Sequence, residues 1–497
     1  MVCMSTRYVS GSQLARLLGE VPHERPFYVA LARAVRGLVL DGRLALRTRL
    51  PAERDLAAAL GVSRTTVTAA YDRLRDEGFV ESRQGAGSWT ALPPTNMPAP
   101  SSARSVPSVA VPFGAGKFGM AHAPDGPGFI DLGCATPGAP EIFDAAVAAA
   151  VAELGRYSAG PGYEPAGLVE LREVIAAMYA ARGVPTRPDQ IVVTTGAQHA
   201  FTVLTQVMID PGDAVLVERP TYPHALGALR RRGARLVPVG VNEGWDLELI
   251  AGSMRQAAVR LAYMIPDFQN PTGRLMDDGD RAELVDAARR ADAFLVADET
   301  FAELGHDLTA PRMAPLCSYD TGGRVITIGS ASKLLWGGLR IGWIRTTAPL
   351  ARRLVLSREA MDMASPVLDQ LIVRELLLRL DEVRAERAAT LLRNRDALAA
   401  ALREHLPGWE FQLPEGGMSL WARLGAPVAT LLAEAAGRYG VRVVPGPVFG
   451  VDGVLEDCVR LPYVLPPEML HAAVERLAAA YREVDAAPVT RPLPAYV

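Results

Sequence analysis

The chain has 497 residues, 49% of them apolar and 22% charged, with a net charge of −3, which suggests about three domains and apolar surface enough for a sizeable core. It has no apolar run of membrane-spanning length, no apolar signal core in M-V-C-M-S-T-R-Y, and no C-x-x-C among Cys3, Cys134, Cys317 and Cys458, so a soluble cytoplasmic protein without disulfides is expected. The few histidines show no H-E-x-x-H or other close ligand spacing, so no metal is expected either.

Charge is unevenly spread. Met1 to Thr90 holds 13 arginines against 9 acidic residues, a balance of about +4 that leaves the remainder at about −7. Such a front end suits a polyanion, although an excess of this size also arises by chance.

Before Arg25 the chain says little beyond a short helix in S-G-S-Q-L-A-R-L-L-G. Phe27, Leu31, Val35 and Leu38 then recur at helical spacing up to Asp41-Gly42. Leu50-Pro51 opens A-E-R-D-L-A-A-A-L-G, a helix with proline in its first turn and Gly61 at its end. Ser63 is placed as the N-cap of the next helix. There Val67, Ala70, Tyr71 and Leu74 make the buried stripe, leaving Arg64, Thr65, Thr68 and Arg75 more exposed. Two helices about a glycine turn, the second carrying arginine and threonine in its first turn, predict a helix-turn-helix; an ordinary helical subdomain is the alternative. G-F-V-E-S-R-Q-G-A-G-S-W-T follows as a hairpin, or wing, with Gly85 and Gly87 at its tip.

From Arg25 to Thr90 the sequence closely resembles the GntR winged-helix family, through L-P-A-E-R-D-L-A, V-S-R-T-T-V and R-Q-G-A-G-S. The resemblance implies a DNA-binding domain over residues 25–90. Arg54 and Arg64 would reach base edges in the major groove, with Ser63, Thr65 and Thr66 at the backbone and Gln84, Gly85 and Gly87 near the minor groove.

Residues 91–128 are rich in proline, serine and alanine and read as a linker that lets the two ends move relative to each other. Beyond it, residues 129–485 alternate strand-like runs (I-V-V-T-T, A-V-L-V-E, L-A-Y-M-I, F-L-V-A-D, V-I-T-I) with amphipathic helices. This predicts an α/β fold with a mainly parallel sheet covered on both faces and ligand groups at the carboxyl ends of its strands. The marked residues fall there. Gly196 turns the first run into a helix whose amides at Ala197 and Gln198 are free for a phosphate. Tyr222 suits either stacking on an aromatic ring or a half-buried loop position, Asn270 lies in P-D-F-Q-N-P-T-G, and Asp298 ends F-L-V-A-D.

V-I-T-I-G-S-A-S-K-L-L-W-G-G-L-R-I-G-W, from Val325 to Trp343, organises the rest. Arginine supplies all but two of the 52 basic side chains; the lysines are Lys117 and Lys333. An amine at Lys333 can lose its proton and attack a carbonyl, which guanidinium cannot. Ser330, Ser332 and Arg340 around it suit a phosphate.

S-x-S-K followed by G-L-R-x-G resembles the fold-type I pyridoxal phosphate (PLP) proteins, the aspartate aminotransferase superfamily. The resemblance implies a Schiff base between Lys333 and PLP, phosphate contacts from Ala197, Gln198, Ser330, Ser332 and Arg340, and ring contacts from Tyr222, Asn270 and Asp298. Arg460 would meet a substrate or effector carboxylate, and Tyr163 would reach the partner subunit's phosphate. A smaller C-terminal α+β subdomain completes that fold. Relatives commonly carry a tyrosine shortly after the aspartate; Thr300 and Phe301 stand here, which puts efficient transamination in question more than cofactor binding.

A GntR-like winged helix, a linker and an aminotransferase-like domain together resemble the MocR subfamily of transcription regulators. This implies a homodimer that binds operator DNA and senses PLP or an amino-acid-like amine. Two other readings remain: an aminotransferase with an accessory DNA-binding domain, and a regulator whose large domain only dimerises.

Overall fold

Periodicity and capping decide the amino-terminal part, which the computed structural model describes over residues 8–19, 26–40, 43–83 and 87–91, with the remainder described over 128–485. Four helices, α1 (Gly11–Leu18), α2 (Phe27–Leu40), α3 (Glu53–Leu60) and α4 (Arg64–Asp76), precede a hairpin of β1 (Val80–Arg83) and β2 (Gly87–Thr90). Leu31, Val35 and Leu38 of α2 close on Leu56 of α3 and on Val67, Ala70, Tyr71 and Leu74 of α4, all fully buried; each large apolar side chain so buried contributes about 1.5–3 kcal/mol. Leu14 of α1 joins the same core. The Tyr71 hydroxyl, buried with it, donates to Pro51 O at 3.2 Å.

The turn between α3 and α4 rests on Gly61 in the left-handed conformation (φ 66°), where a side chain would be strained. Ser63 then caps α4 by accepting from Thr66 N at 3.1 Å, worth about 1 kcal/mol. Pro51 was expected inside α3. It lies outside, because the helix starts at Glu53 after Ala52. The wing is tied back to the α2–α3 loop, since Thr90 Oγ1 donates to Ala45 O at 2.6 Å and Thr48 N donates to Thr90 Oγ1 at 3.0 Å. Gln84 and Gly85 of its tip and nearly all of the expected linker, 91–128, lie outside the described residues.

The chain re-enters at β3 (Ile130–Asp131) and builds a seven-stranded sheet from β4 (Ile191–Thr194), β5 (Ala214–Arg219), β6 (Arg235–Gly240), β7 (Val259–Met264), β8 (Phe294–Asp298), β9 (Val325–Ser330) and β10 (Gly342–Arg345). The order is β4-β10-β9-β8-β7-β5-β6, parallel except for β10, which runs antiparallel to both neighbours. Alternate residues serve two cores. Val192, Val215, Val217, Leu261, Tyr263, Val296 and Ile326 face one, while Val193, Leu216, Ala262, Met264, Leu295, Ala297 and Val325 face the other. Burial on both faces is why these strands read as continuous apolar runs. A smaller α+β part follows, with β11 (Glu410–Phe411), β12 (Ser419–Arg423), β14 (Val444–Pro445) and β15 (Cys458–Pro462) in one sheet and β13 (Val441–Arg442) paired with β3. Among the described residues no helix is long and apolar enough to cross a membrane.

One buried arginine fixes the turn after β7. Arg281, on the helix Asp278–Arg290, donates from Nε to Met276 O at 2.9 Å and from Nη2 to Pro266 O at 3.2 Å and Asp267 Oδ1 at 2.9 Å. Arg281→Ala is expected to leave the Asp267 carboxylate buried without its partner and to destabilise the large part by about 3–5 kcal/mol, read as a lower urea midpoint followed by tryptophan fluorescence.

Candidate functional site

Strand ends gather the chemistry. Asp298 and Ser330 are the last residues of β8 and β9, Gly196 follows β4 by two residues, and Tyr222 and Asn270 sit in the turns beyond β5 and β7. Lys333 stands in the one-turn helix Ala331–Leu334 that leaves β9, capped by Ser330 Oγ accepting from Ser332 N at 3.2 Å.

The Lys333 amine is half-buried. It donates to Ala135 O at 2.8 Å and to Thr136 Oγ1 at 3.0 Å. Burial, together with the guanidiniums of Arg460 and Arg340, brings its pKa down to about 8, against the opposing pull of Cys134 and Asp298. Loss of solvation disfavours the ammonium and so makes the free amine accessible near neutral pH. The Tyr222 phenol is pushed up to about 12 by burial and by Asp298, and feels Arg340, Arg460 and Cys134 as well. Lys333 and Tyr222 therefore both feel the charges of Asp298, Arg340 and Arg460.

Arg340 closes one end of it. In the left-handed conformation (φ 49°), it donates from Nη1 to Ser332 Oγ at 3.4 Å and from Nη2 to Thr195 O at 3.3 Å. Gly196, at φ 86°, holds a backbone conformation in which a side chain would be strained, and a Cβ there would lie 2.6 Å from Arg340 Nη2 and push that guanidinium aside. The helix Ala197–Met208 starts immediately after without a side-chain cap, so the Ala197 and Gln198 amides open its N-terminus. Gln198 Oε1 is buried without a partner. Two amides, two hydroxyls and a guanidinium in this arrangement form an anion cradle.

At the other end Asp298 Oδ2 accepts from the Tyr263 hydroxyl at 2.5 Å and Oδ1 from Thr300 N at 3.0 Å, which fixes the carboxylate plane. Phe301, where relatives commonly have a tyrosine, is buried. Arg460, in β15, donates from Nη2 to Gly133 O at 2.5 Å and lies 5.0 Å from the Phe449 ring centre; its burial lowers its pKa to about 10. Asn270 is half-buried in its turn. Tyr163 is 61% exposed and makes no recorded contact with this cluster among the described residues.

Sequence reasoning missed the loop from Gly133 to Thr136, which holds both Lys333 and Arg460; its acceptors are mostly backbone carbonyls, which leave no sequence signature. It also missed Glu218, buried beneath the site, which accepts from Trp245 Nε1 at 2.8 Å, Gln269 Nε2 at 3.0 Å and Ile265 N at 3.2 Å. Burial raises its pKa to about 8 against those hydrogen bonds. A strand-ending glutamate in A-V-L-V-E-R was the available signal.

The front end presents a second site. Arg54 and Arg64 are strongly exposed, and Arg64 is steadied by Glu53 at 3.5 Å, a carboxylate that also accepts from Thr68 Oγ1 at 3.0 Å. Ser63 and Thr66 are spent on the cap, their hydroxyls 2.7 Å apart, and Thr65 Oγ1 lies 2.8 Å from Ser63 Oγ. The start of α4 therefore offers the Arg64 guanidinium and Thr65, beside Arg54 of α3, while Arg73 and Arg75 further along pair with Glu77 and Asp72.

A family model described as aminotransferase class I and II matches residues 141–477, and one described as bacterial regulatory proteins, gntR family, matches residues 27–89. The chain belongs to the aminotransferase class I and II family. It joins that family's domain to a GntR-type helix-turn-helix, consistent with the MocR subfamily. It is 36% identical over 343 residues, 67% of each chain, to the probable rhizopine catabolism regulatory protein MocR of Rhizobium meliloti. To the HTH-type transcriptional regulator YdcR of Escherichia coli it is 29% identical over 85% of this chain and 92% of that one. Among solved structures, the α-aminoadipate aminotransferase LysN of Thermus thermophilus, complexed with N-(5'-phosphopyridoxyl)-L-leucine, matches with a TM-score of 0.67 at 30% identity, over 72% of this chain and 94% of that one. The anion cradle, the Asp298 carboxylate and the low-pKa amine of this aminotransferase-family domain fit a phosphorylated pyridine aldehyde in charge and donor type.

With the Lys333 pKa near 8, the amine is protonated and unreactive below that pH and free above it. Covalent uptake of added pyridoxal phosphate is expected to speed up as pH rises from 6.5, to reach half its maximum near pH 8, and to level off beyond; a midpoint near an ordinary lysine's, about 10.4, would contradict the pocket's effect.

Proposed function

We propose that the protein is a PLP-dependent, DNA-binding transcription regulator that senses PLP or an amino-acid-like amine in its aminotransferase-like part. The observation that carries this reading is the Lys333 amine, desolvated beside Asp298, Ser330 and Arg340, in the same chain as a helix-turn-helix with exposed Arg54 and Arg64. PLP bound there supplies an electron-withdrawing ring held through Lys333. Ala197, Gln198, Ser330, Ser332 and Arg340 hold its phosphate, Asp298 keeps a proton on the ring nitrogen, Asn270 and Tyr222 orient the ring, and Arg460 meets an effector carboxylate.

We divide the chain into a winged helix (25–90), a linker (91–128) and the aminotransferase-like part (129–485), and place it in the cytoplasm as a homodimer. The exposed Tyr163 suits a reach into the partner subunit's pocket, and two winged helices suit paired half-sites. Arg54, Arg64 and Thr65 contact operator DNA, with Ser63 and Thr66 shaping that surface through the cap and Gln84, Gly85 and Gly87 at the wing. Retention of Arg460 favours a second reading, an aminotransferase with an accessory DNA-binding part.

Purified protein given PLP should develop bound-cofactor absorbance, lost in Lys333→Ala and kept in Arg64→Ala, while Arg64→Ala weakens promoter binding about tenfold or more, as loss of one bidentate base contact does. Wild-type binding should weaken with added salt as counterions are released. A colourless protein would overturn the sensing role, and steady turnover of amino acid and keto acid pairs would favour the second reading.

A contact between the two ends supports a route for the signal. Leu46, in the α2–α3 loop, packs against the cluster of Val454, Leu455 and Cys458, as does Trp421, and Arg43 lies against Gly240 at the end of β6. Trp421 faces Arg460 across the β12–β15 ladder, and the Phe449 ring lies 5.6 Å from the Trp421 ring and 5.0 Å from the Arg460 guanidinium. Trp421 and Phe449 thus lie between Arg460 and the seat of Leu46, and a ligand that moves Arg460 would act on that seat through them. Leu46→Ser should leave PLP uptake and basal DNA affinity intact but abolish the change in DNA affinity caused by ligand, measured by fluorescence anisotropy with and without PLP and an amino acid.

A further inference from the structure

Two histidines that sit 66 positions apart in sequence meet at the far side of the small α+β part. His405 is the last residue of the helix Leu380–His405, and His471 lies in the second turn of the helix Pro467–Asp485. Their Nε2 atoms are 3.5 Å apart and their rings nearly perpendicular, at 83°. Glu404 straddles the pair, with one carboxylate oxygen 3.9 Å from His405 Nε2 and the other 3.9 Å from His471 Nε2.

A direct hydrogen bond between the rings is poor at this distance, since N–H donors prefer about 2.7–3.2 Å. One cation about 2.0–2.1 Å from each nitrogen accounts for the spacing better, because two nitrogens on a tetrahedral ion stand about 3.3 Å apart. The other nitrogen of His471, Nδ1, has Glu475 Oε1 at 3.8 Å. At that distance it does not hydrogen-bond the imidazole, but a change of Glu475 rotamer would bring it to the place where a carboxylate fixes a ligating imidazole's tautomer. The two helices are held rigidly, with Leu398 and Leu402 of one and Leu470, Val474 and Leu477 of the other fully buried in the same core. The carboxyl end of the helix Leu380–His405 adds a favourable potential for a cation.

We propose that Glu404, His405 and His471 form a binding site for a divalent transition metal of the zinc class, which clips the ends of these two helices together. Two imidazoles and one carboxylate, with a position left for water, match zinc, whereas magnesium and calcium require oxygen donors. The sequence expectation of no metal rested on spacing along the chain, and these ligands are close only after folding. The site shares no residue with the Lys333 pocket, so it stands or falls independently of the cofactor reading.

The test is titration of the chelator-stripped full-length protein with zinc chloride, and separately with magnesium chloride, by calorimetry. One zinc per chain and no magnesium uptake are expected, with zinc affinity reduced at least tenfold in His405→Ala and in His471→Ala and unchanged in Cys134→Ser and Lys333→Ala. Zinc should also raise the thermal midpoint of the wild type but not of either histidine variant. Both histidines are partly exposed, so metal-free midpoints of the variants should match the wild type. Absence of zinc uptake, or uptake and thermal shift that survive both histidine substitutions, would overturn the site.

Discussion

A half-buried amine that feels two guanidiniums sets the terms for the large part of this protein. Lys333 must lose solvation to be reactive, yet as an ammonium it needs partners, and Ala135 O and Thr136 Oγ1 provide them. That loop is in place only because β3 pairs with β13, Ile130 opposite Val441 and Asp131 opposite Arg442, and because Arg442 binds the Asp131 carboxylate. The first strand after the linker is thus anchored to the small α+β part before it crosses to the sheet. Arg460 donates to Gly133 of the same loop, so one short segment joins the amine, Arg460 and both structural parts.

The floor of the pocket is unusually polar for a protein interior. Glu218, Gln269, Asp298, Glu299 and Arg281 are all buried. All but Glu299, whose partner is Arg182, are tied to a backbone group near a strand end: Gln269 Nε2 donates to Pro220 O at 2.8 Å, and Gln269 Oε1 accepts from Thr272 N at 3.0 Å. Burial raises the pKa of Glu299, against the Arg182 guanidinium 3.3 Å away. Such groups are costly unless satisfied. Here Glu218 and Gln269 fix the turns carrying Tyr222 and Asn270 through Ile265 N, Pro220 O and Thr272 N.

The loop from Gly450 to Asp457 has the same double character. It is fastened to the end of β5 by Arg219 on Asp452 at 3.2 Å and to the helix Pro223–Arg232 by Arg230 donating to Val451 O at 2.8 Å, yet Val454 and Leu455 form the seat for Leu46 from the front end. A contact this small couples two parts without welding them. Phe449, at the edge of that loop, lies against the Arg460 guanidinium, so pocket and seat share one aromatic ring.

Local rules settled much in advance. The stripe Val67, Ala70, Tyr71, Leu74, the Ser63 cap and the Gly61 turn follow from helical period and backbone sterics, which are properties of short windows. The five apolar runs and the polar residues at their ends were legible for a similar reason, since a strand buried on both faces must be apolar until it leaves the sheet. Lys333 stood out because arginine replaces lysine almost everywhere else. What folding alone decided are contacts between distant segments: the Gly133–Thr136 loop on Lys333, Tyr263 on Asp298, Leu46 on Leu455, and His405 beside His471. Backbone acceptors carry no side-chain signature, and residues far apart in the chain have no shared period, so only the packed sheet and helices bring them within a few ångströms.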